Sequence, residues 1–74
     1  MKEFEEALKK DRARLSNAGF DWERVTALRS LGETYLEMGD FKSAEDHLRK
    51  ALEYAEDGRT KAKIRNLLKT ITVQ

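Results

Sequence analysis

The sequence predicts an all-α fold in which four antiparallel helices form one domain over residues 1–74. Apolar residues recur at intervals of three and four, the spacing that places side chains on one side of a helix. Gly19, Gly39 and Gly58 separate these periodic segments at intervals of 20 and 19 residues, enough for one helix and a short turn. Proline is absent, so no proline interrupts the segments themselves.

The first helix is expected over residues 3–18. Its apolar side chains fall on one side and are Phe4, Ala7, Leu8, Leu15 and Ala18. Asp11 and Arg12 interrupt this stripe. Acidic residues near the start of this helix interact favourably with the positive end of the helix dipole. Gly19 is expected to end the helix in the left-handed conformation.

The second helix is expected over residues 22–38. Asp21 is predicted to be its N-cap, and Phe20 is expected to pack on Val25 as a hydrophobic staple. The inward stripe consists of Val25, Leu28, Leu31 and Tyr35. Gly32 lies on the same side, where a glycine costs about 1 kcal/mol relative to alanine. That cost predicts a neighbouring helix that lies too close for a methyl group.

The third helix is expected over residues 41–57, with Asp40 as its N-cap. Small side chains at Ala44 and Ala51 on its apolar side allow a second helix to approach closely. The next glycine, Gly58, is predicted to end it.

The fourth helix is expected over residues 60–72. Its apolar side chains are Ile64, Leu67, Leu68 and Ile71. Aligning Ile64 with Leu28 gives a repeat period of 36 residues. In that register Leu68 stands where the second helix has Gly32, so close packing of a further helix is not expected.

Large and small apolar residues recur at fixed places between Val25 and Gly58. These places are occupied by Leu28, Leu31, Gly32, Tyr35, Ala44, Leu48 and Ala51, around a Gly39-Asp40-Phe41 turn. At this spacing they resemble the tetratricopeptide repeat. Two positions depart from the family pattern. Leu28 stands where the family usually has a tryptophan, and Trp22 lies six residues earlier. Glu56 stands where the family usually has a proline.

The flanking helices resemble half-repeats. The first is similar to the second helix of a preceding repeat, and the fourth to the first helix of a following repeat. The resemblance implies a right-handed stack of helical hairpins that acts as a scaffold for protein partners. Because such arrays usually contain about three repeats, we expect the chain to be a minimal, excised or engineered piece of one.

In the resembled family, the first helix of each repeat lines a concave surface. The residues expected there are Thr26, Arg29, Glu33 and Glu37 from the second helix, with Ala62, Arg65 and Lys69 from the fourth. The functional interpretation is a groove of mixed charge that binds a peptide or helix of a partner protein. The alternative is an ordinary solvated face, on which Arg29 and Glu33 form a weak ion pair one helical turn apart.

Arg65 and Lys69 are similar to the basic pair with which some members of the family hold a peptide's C-terminal carboxylate. The asparagines that complete such a clamp are missing, since Ser30 and Glu33 stand at the matching places. Glu33 would repel a carboxylate. A full clamp is therefore not expected.

A second functional interpretation is self-association. A repeat unit without a dedicated cap exposes apolar end faces, which can stack on copies of the same chain. Leu68 and Ile71 are the residues expected to mark such a contact, with a symmetric homodimer as the favoured form.

Two further features have competing explanations. Trp22 and Phe20 are expected to close one end of the core against Leu15 and Ala18, the alternative being an anchor for a partner. His47 is expected to face outward on the third helix, as an ordinary surface histidine.

Composition argues against several other functions. Charged residues form 39% of the chain but nearly cancel at +1, and there is no cysteine and one histidine. The basic run at residues 59–69 has no interleaved aromatic residue for stacking on bases, so nucleic-acid binding is not expected. No pattern for catalysis, a metal or a cofactor is recognised.

The N-terminal segment carries acidic residues where a signal peptide needs an apolar run. No apolar stretch approaches the roughly 20 residues that a membrane-spanning helix requires. The sequence therefore predicts a cytoplasmic protein, or a recombinantly excised domain.

Overall fold

A computed structural model describes residues 2–72, and describes side chains for residues 3–71. This part of the chain contains four helices and no strand. They are α1 (Lys2–Asn17), α2 (Asp21–Met38), α3 (Phe41–Tyr54) and α4 (Gly58–Thr72). The predicted all-α fold is confirmed. The smallest dimension of the molecule, 15 Å, matches two layers of helices, because packed helices lie about 8–10 Å apart.

The turn between α2 and α3 forms as predicted. Gly39 adopts the left-handed conformation (φ 83°), and its N–H donates to the carbonyl of Leu36 at 3.0 Å. The N–H of Asp40 donates to the carbonyl of Tyr35 at 2.9 Å. The carboxylate of Asp40 then accepts the N–H of Ser43 at 3.2 Å, so Asp40 is the N-cap of α3.

The predicted beginning of α2 is wrong by one residue. Phe20, with an extended backbone, is the N-cap, and Asp21 is the first helical residue. The Glu23 carboxylate accepts the N–H groups of Gly19 and Phe20, each at 3.0 Å. Because Glu23 supplies the capping oxygen, Asp21 pairs instead with Arg24 at 2.9 Å. Gly19 is not in the left-handed conformation expected of it, since the only glycine with positive φ in residues 2–72 is Gly39.

The predicted boundary between the third and fourth helices is also wrong. α3 ends at Tyr54, and Gly58 begins α4 rather than ending α3. The carboxylate of Asp57 accepts the N–H of Thr60 at 3.2 Å and its hydroxyl at 3.1 Å. Asp57 therefore caps α4, and this cap moves the start of the helix two residues toward the N-terminus.

α2 and α3 are the two inner helices, because α2 packs against α1 and α3, and α3 packs against α2 and α4. Two apolar clusters form the core. One joins α2, α3 and α4 and consists of Val25, Leu28, Leu48, Ala51, Ala55 and Ile64. The other joins α1, α2 and α3 and consists of Leu8, Leu31, Tyr35 and Ala44. Two sides of α2 are thus used for packing.

α2 and α3 approach each other most closely at Gly32. A Cβ atom placed on Gly32 would lie 2.6 Å from Cγ and 2.7 Å from Cδ2 of Leu48, whose side chain is fully buried. The carbonyl oxygen of Ala44 would lie 3.5 Å away. The predicted close contact at Gly32 is confirmed.

Polar side chains join α1 to α2. Asp11 is 6% exposed and accepts a hydrogen bond from the hydroxyl of Ser30 at 2.7 Å. The guanidinium of Arg12 donates to the hydroxyl of Tyr35, also at 2.7 Å. The two residues that interrupt the apolar stripe in the sequence are therefore contacts with α2. Nothing in their spacing identified these partners.

Replacing Gly32 with alanine should lower the free energy of unfolding by about 1–3 kcal/mol, because overpacking outweighs the better helix propensity of alanine. Gly58→Ala is the matched control, since Gly58 is also helical and nothing lies within 4 Å of an added Cβ. That variant should be neutral or slightly stabilising. Urea unfolding followed by circular dichroism measures both. Equal effects of the two substitutions would contradict the close-contact argument, and Gly32→Leu should be worse than Gly32→Ala.

Ser30→Ala should destabilise the protein by about 1–3 kcal/mol, because the buried carboxylate of Asp11 loses its hydroxyl donor. Ser16→Ala, at an exposed position of α1, should change stability by less than about 0.5 kcal/mol. Thermal and urea unfolding give both values. If the two variants are equally stable, the bond between Asp11 and Ser30 contributes nothing to stability.

Candidate partner-binding surface

One side of α2 is not used for packing. We call it the open face, and along the helix it carries Trp22, Thr26, Arg29, Glu33 and Glu37. Their spacing of three and four residues places them in a single stripe. Thr26, Glu33 and Glu37 are exposed, Arg29 is half-buried, and Trp22 is 68% exposed. Clefts adjoin the open face on both sides.

The first cleft lies between α2 and the turn that joins α3 to α4. It measures about 340 Å³. Its lining residues are Trp22, Val25, Thr26, Arg29, Tyr54, Ala55, Glu56, Asp57 and Thr60. We call it the Trp22–Tyr54 cleft. Aromatic rings, a small apolar floor and two carboxylates therefore meet in one place.

The second cleft lies on the other side of Trp22, between α1 and α2, and measures about 670 Å³. Its lining residues are Lys10, Ala13, Arg14, Asn17, Trp22, Glu23, Thr26 and Ala27. We call it the Lys10–Trp22 cleft. Trp22 and Thr26 line both clefts and thus form the ridge between them.

A third cleft of about 350 Å³ lies between α2 and α4, further along the open face. It is lined by Arg29, Glu33, Lys63, Asn66, Leu67 and Thr70. Nε of Arg29 lies 3.7 Å from Oε1 of Glu33, a loose pair with both side chains partly exposed. Because the pair is long and partly exposed, both charged groups can also bond to a ligand.

The structure brings together only some of the residues predicted from the sequence. Thr26 and Arg29 line the Trp22–Tyr54 cleft, and Arg29 and Glu33 line the third cleft. Glu37 lies further along, beside Phe4, Glu5 and Met38. Arg65 and Lys69 are exposed but do not line the third cleft, nor does Ala62.

The packing of α4 on α3 decides which of its residues reach the third cleft. Ile64 is fully buried at the position that the period of 36 aligns with Leu28. Lys63, Asn66 and Thr70 line the third cleft with Leu67, whereas Ala62, Arg65 and Lys69 are exposed elsewhere on the helix.

The residues expected to mark a homodimer, Leu68 and Ile71, lie on the side of α4 that packs inward. Both are half-buried and pack against the core clusters, beside the fully buried Ile64. The apolar side of α4 is therefore largely used within the molecule.

The interpretation of Trp22 and Phe20 as a closure of the core is wrong. The two side chains are 68% and 64% exposed, and their rings stack with centroids 6.5 Å apart. The predicted staple of Phe20 on Val25 assumed that Phe20 precedes the N-cap, whereas Phe20 is the N-cap itself. The reason is local, because Glu23 holds the N–H groups of Gly19 and Phe20 and so fixes the turn with Phe20 extended.

His47 does not occupy the outward position predicted for it. It is half-buried, and its ring centroid lies 5.0 Å from that of Tyr35. Nδ1 lies 2.7 Å from the carbonyl oxygen of Ser43, which requires the proton on Nδ1. His47 therefore takes part in the packing between α2 and α3.

Trp22→Ala should lower the free energy of unfolding by less than about 1 kcal/mol, because most of the side chain is in solvent. Ile64→Val removes only one methylene, but from a fully buried side chain, and should cost about 0.5–1.5 kcal/mol. Circular dichroism during urea unfolding compares them. A loss of about 3–5 kcal/mol for Trp22→Ala would instead place Trp22 in the core.

In residues 2–72, no helix combines the length and the apolar character that crossing a membrane requires. A family model described as tetratricopeptide repeat matches residues 1–57, more than half of the chain, and covers α1, α2 and α3. Neither the curated proteins nor the solved structures compared with the chain gave a significant match. This match is consistent with the observed helix pairs and with the close approach of α2 and α3 at Gly32. The chain belongs to the tetratricopeptide repeat family.

Proposed function

We propose that this protein is a non-catalytic interaction module that binds an extended or helical segment of a partner protein along the open face of α2. The observation that carries the proposal is the position of Trp22. This side chain is 68% exposed and forms the ridge between two clefts, on a helix whose other sides are packed.

An exposed tryptophan beside preformed clefts favours protein binding over simple solvation. Tryptophan is enriched among residues that contribute most to interfaces, and it buries a large area on contact. The helix beneath it is fixed by its packing on α1 and α3. A partner would therefore meet a surface that needs little rearrangement, which lowers the entropy cost of binding.

The third cleft, beside the open face, supplies polar groups that suit a peptide. The amide of Asn66 can both donate to and accept from a peptide backbone. Nε of Arg29 and Oε1 of Glu33 are 3.7 Å apart, so each side chain can leave this weak pair and bond to a group of a partner. The open face and the adjoining third cleft therefore offer one apolar anchor, Trp22, followed by polar contacts.

Family membership supports the absence of catalysis, since tetratricopeptide repeats generally serve as non-catalytic scaffolds for protein contacts. Self-association at Leu68 and Ile71 is the alternative proposal. Its support is weaker, because these side chains already pack against the core clusters. Sedimentation over a range of concentrations separates the two, since a peptide receptor remains monomeric.

The proposal is tested by selecting binders from a displayed library of random peptides and mapping the best one by amide chemical shifts. Arg29→Ala should weaken its binding about fivefold, as expected for loss of about 1 kcal/mol at an interface. Arg49→Ala is the matched control, because Arg49 also pairs with a glutamate one turn away, Glu45 at 3.3 Å, but on α3. It should leave binding unchanged.

Shift changes should follow Trp22, Thr26 and Arg29 on the open face. Changes centred on Glu45 and Arg49, or equal losses in the two arginine variants, would place the binding surface elsewhere. If no peptide is enriched over a control without protein, the proposed function fails.

A further inference from the structure

The Trp22–Tyr54 cleft has the chemistry of a receptor for one positively charged side chain. On the basis of the proposed function above, we infer that the partner segment places a lysine or arginine side chain in this cleft. Four features support this class of ligand residue: the aromatic walls, the acidic rim, the apolar floor and the contrast with the neighbouring cleft.

The walls present aromatic rings to solvent. Trp22 is 68% exposed and Tyr54 is 39% exposed. The ring of Tyr54 already attracts a cation of the protein itself, since Cζ of Arg24 lies 5.7 Å from its centroid. Tryptophan offers the most favourable ring face for a cation, followed by tyrosine. A cationic side chain entering the cleft would meet both rings.

The rim of the cleft is acidic. In residues 2–72, no hydrogen bond or ion pair engages the exposed carboxylate of Glu56. Asp57 caps α4 through Oδ2, so its Oδ1 is left to accept a hydrogen bond from another donor. Both carboxylates can therefore attract an incoming ammonium or guanidinium group.

The floor is apolar and small. Val25 and Ala55 line the cleft, and each is 6% exposed. Lysine and arginine pack their methylene stems on surfaces of this kind while the charged end reaches polar groups. The cleft thus suits the whole side chain as well as its charge.

One guanidinium, that of Arg29, also lines the cleft. Its Nε lies 3.7 Å from the carboxylate of Glu33, a residue of the neighbouring third cleft. The negative charge of Glu33 therefore partly offsets the positive charge of Arg29. Arg24, over the Tyr54 ring, pairs with Asp21 at 2.9 Å, so its charge is offset as well. Two carboxylates, of Glu56 and Asp57, then face the ligand against two compensated cations. The balance in the Trp22–Tyr54 cleft remains negative.

The Lys10–Trp22 cleft has the opposite character. It contains two cations, Lys10 and Arg14, and only one acidic residue, Glu23, so its charge balance is positive. A basic ligand residue is therefore favoured on one side of Trp22 only. The charge difference would orient a bound peptide across the ridge.

The test uses the peptides selected on the wild-type protein. Lysine and arginine should be enriched at one position among them, and replacing that residue with acetyl-lysine should weaken binding about fivefold, because the charge is lost but the stem remains. Trp22 is the only tryptophan, so its indole N–H signal reports contact with the cleft directly. Raising the salt concentration should weaken the charged peptide more than the acetylated one.

Glu56→Gln should weaken binding of the charged peptide about threefold, because one exposed ion pair is lost. Binding of the acetylated peptide should not change. Glu53→Gln is the matched control, since Glu53 is also exposed but does not line the cleft. Asp57 is left intact because it caps α4.

The outcomes separate the two proposals. Peptides that bind and shift the Trp22 indole signal but show no need for a basic residue would overturn the inference and leave the proposed function standing. Equal effects of Glu56→Gln and Glu53→Gln, or a preference for glutamate at the position, would also overturn it. Enrichment of no peptide at all would overturn both.

Discussion

The close approach of α2 and α3 at Gly32 determines where the other elements lie. The missing Cβ lets the fully buried Leu48 reach the backbone of α2, so the two helices pack closely along their length. A side chain at this point would need Leu48 to shift within a core that has little free space. Ile64 of α4 joins the same cluster. The position of α4, and of the clefts beside it, therefore depends on this contact.

The proposed binding surface is the part of α2 that this packing leaves uncovered. α3 covers the side of α2 that carries Gly32, and α1 covers another through the buried bond between Asp11 and Ser30. The remaining side presents Trp22 and Arg29 on a helix that is held from two directions. The protein therefore combines a rigid support with exposed groups whose own interactions are weak, such as the 3.7 Å pair between Arg29 and Glu33. That combination suits reversible recognition of a peptide.

The four helices and the role of Gly32 could be predicted, because periodicity and one unfavourable glycine are local signals with a single good explanation. The proposed groove was only half predictable. Thr26 and Arg29 follow from the periodicity of α2, whereas the residues that α4 contributes depend on how this helix packs against α3, for which the sequence carries no local signal. The exposure of Trp22 depends on how Glu23 caps the turn, and an aromatic residue near a helix start fits a core or an interface equally well.

Nuclear Overhauser effects can show whether Leu48 packs on Gly32 and whether the Trp22 side of α2 is open. The methyl groups of Leu48 should show strong effects to the Hα protons of Gly32, since Cδ2 lies near the position of the missing Cβ. The indole protons of Trp22 should show effects to Phe20, with which it stacks, and none to the methyl groups of Leu15. Absence of the first effect would mean that the two helices do not meet at Gly32, and strong effects between Trp22 and Leu15 would mean that the Trp22 side of α2 is closed.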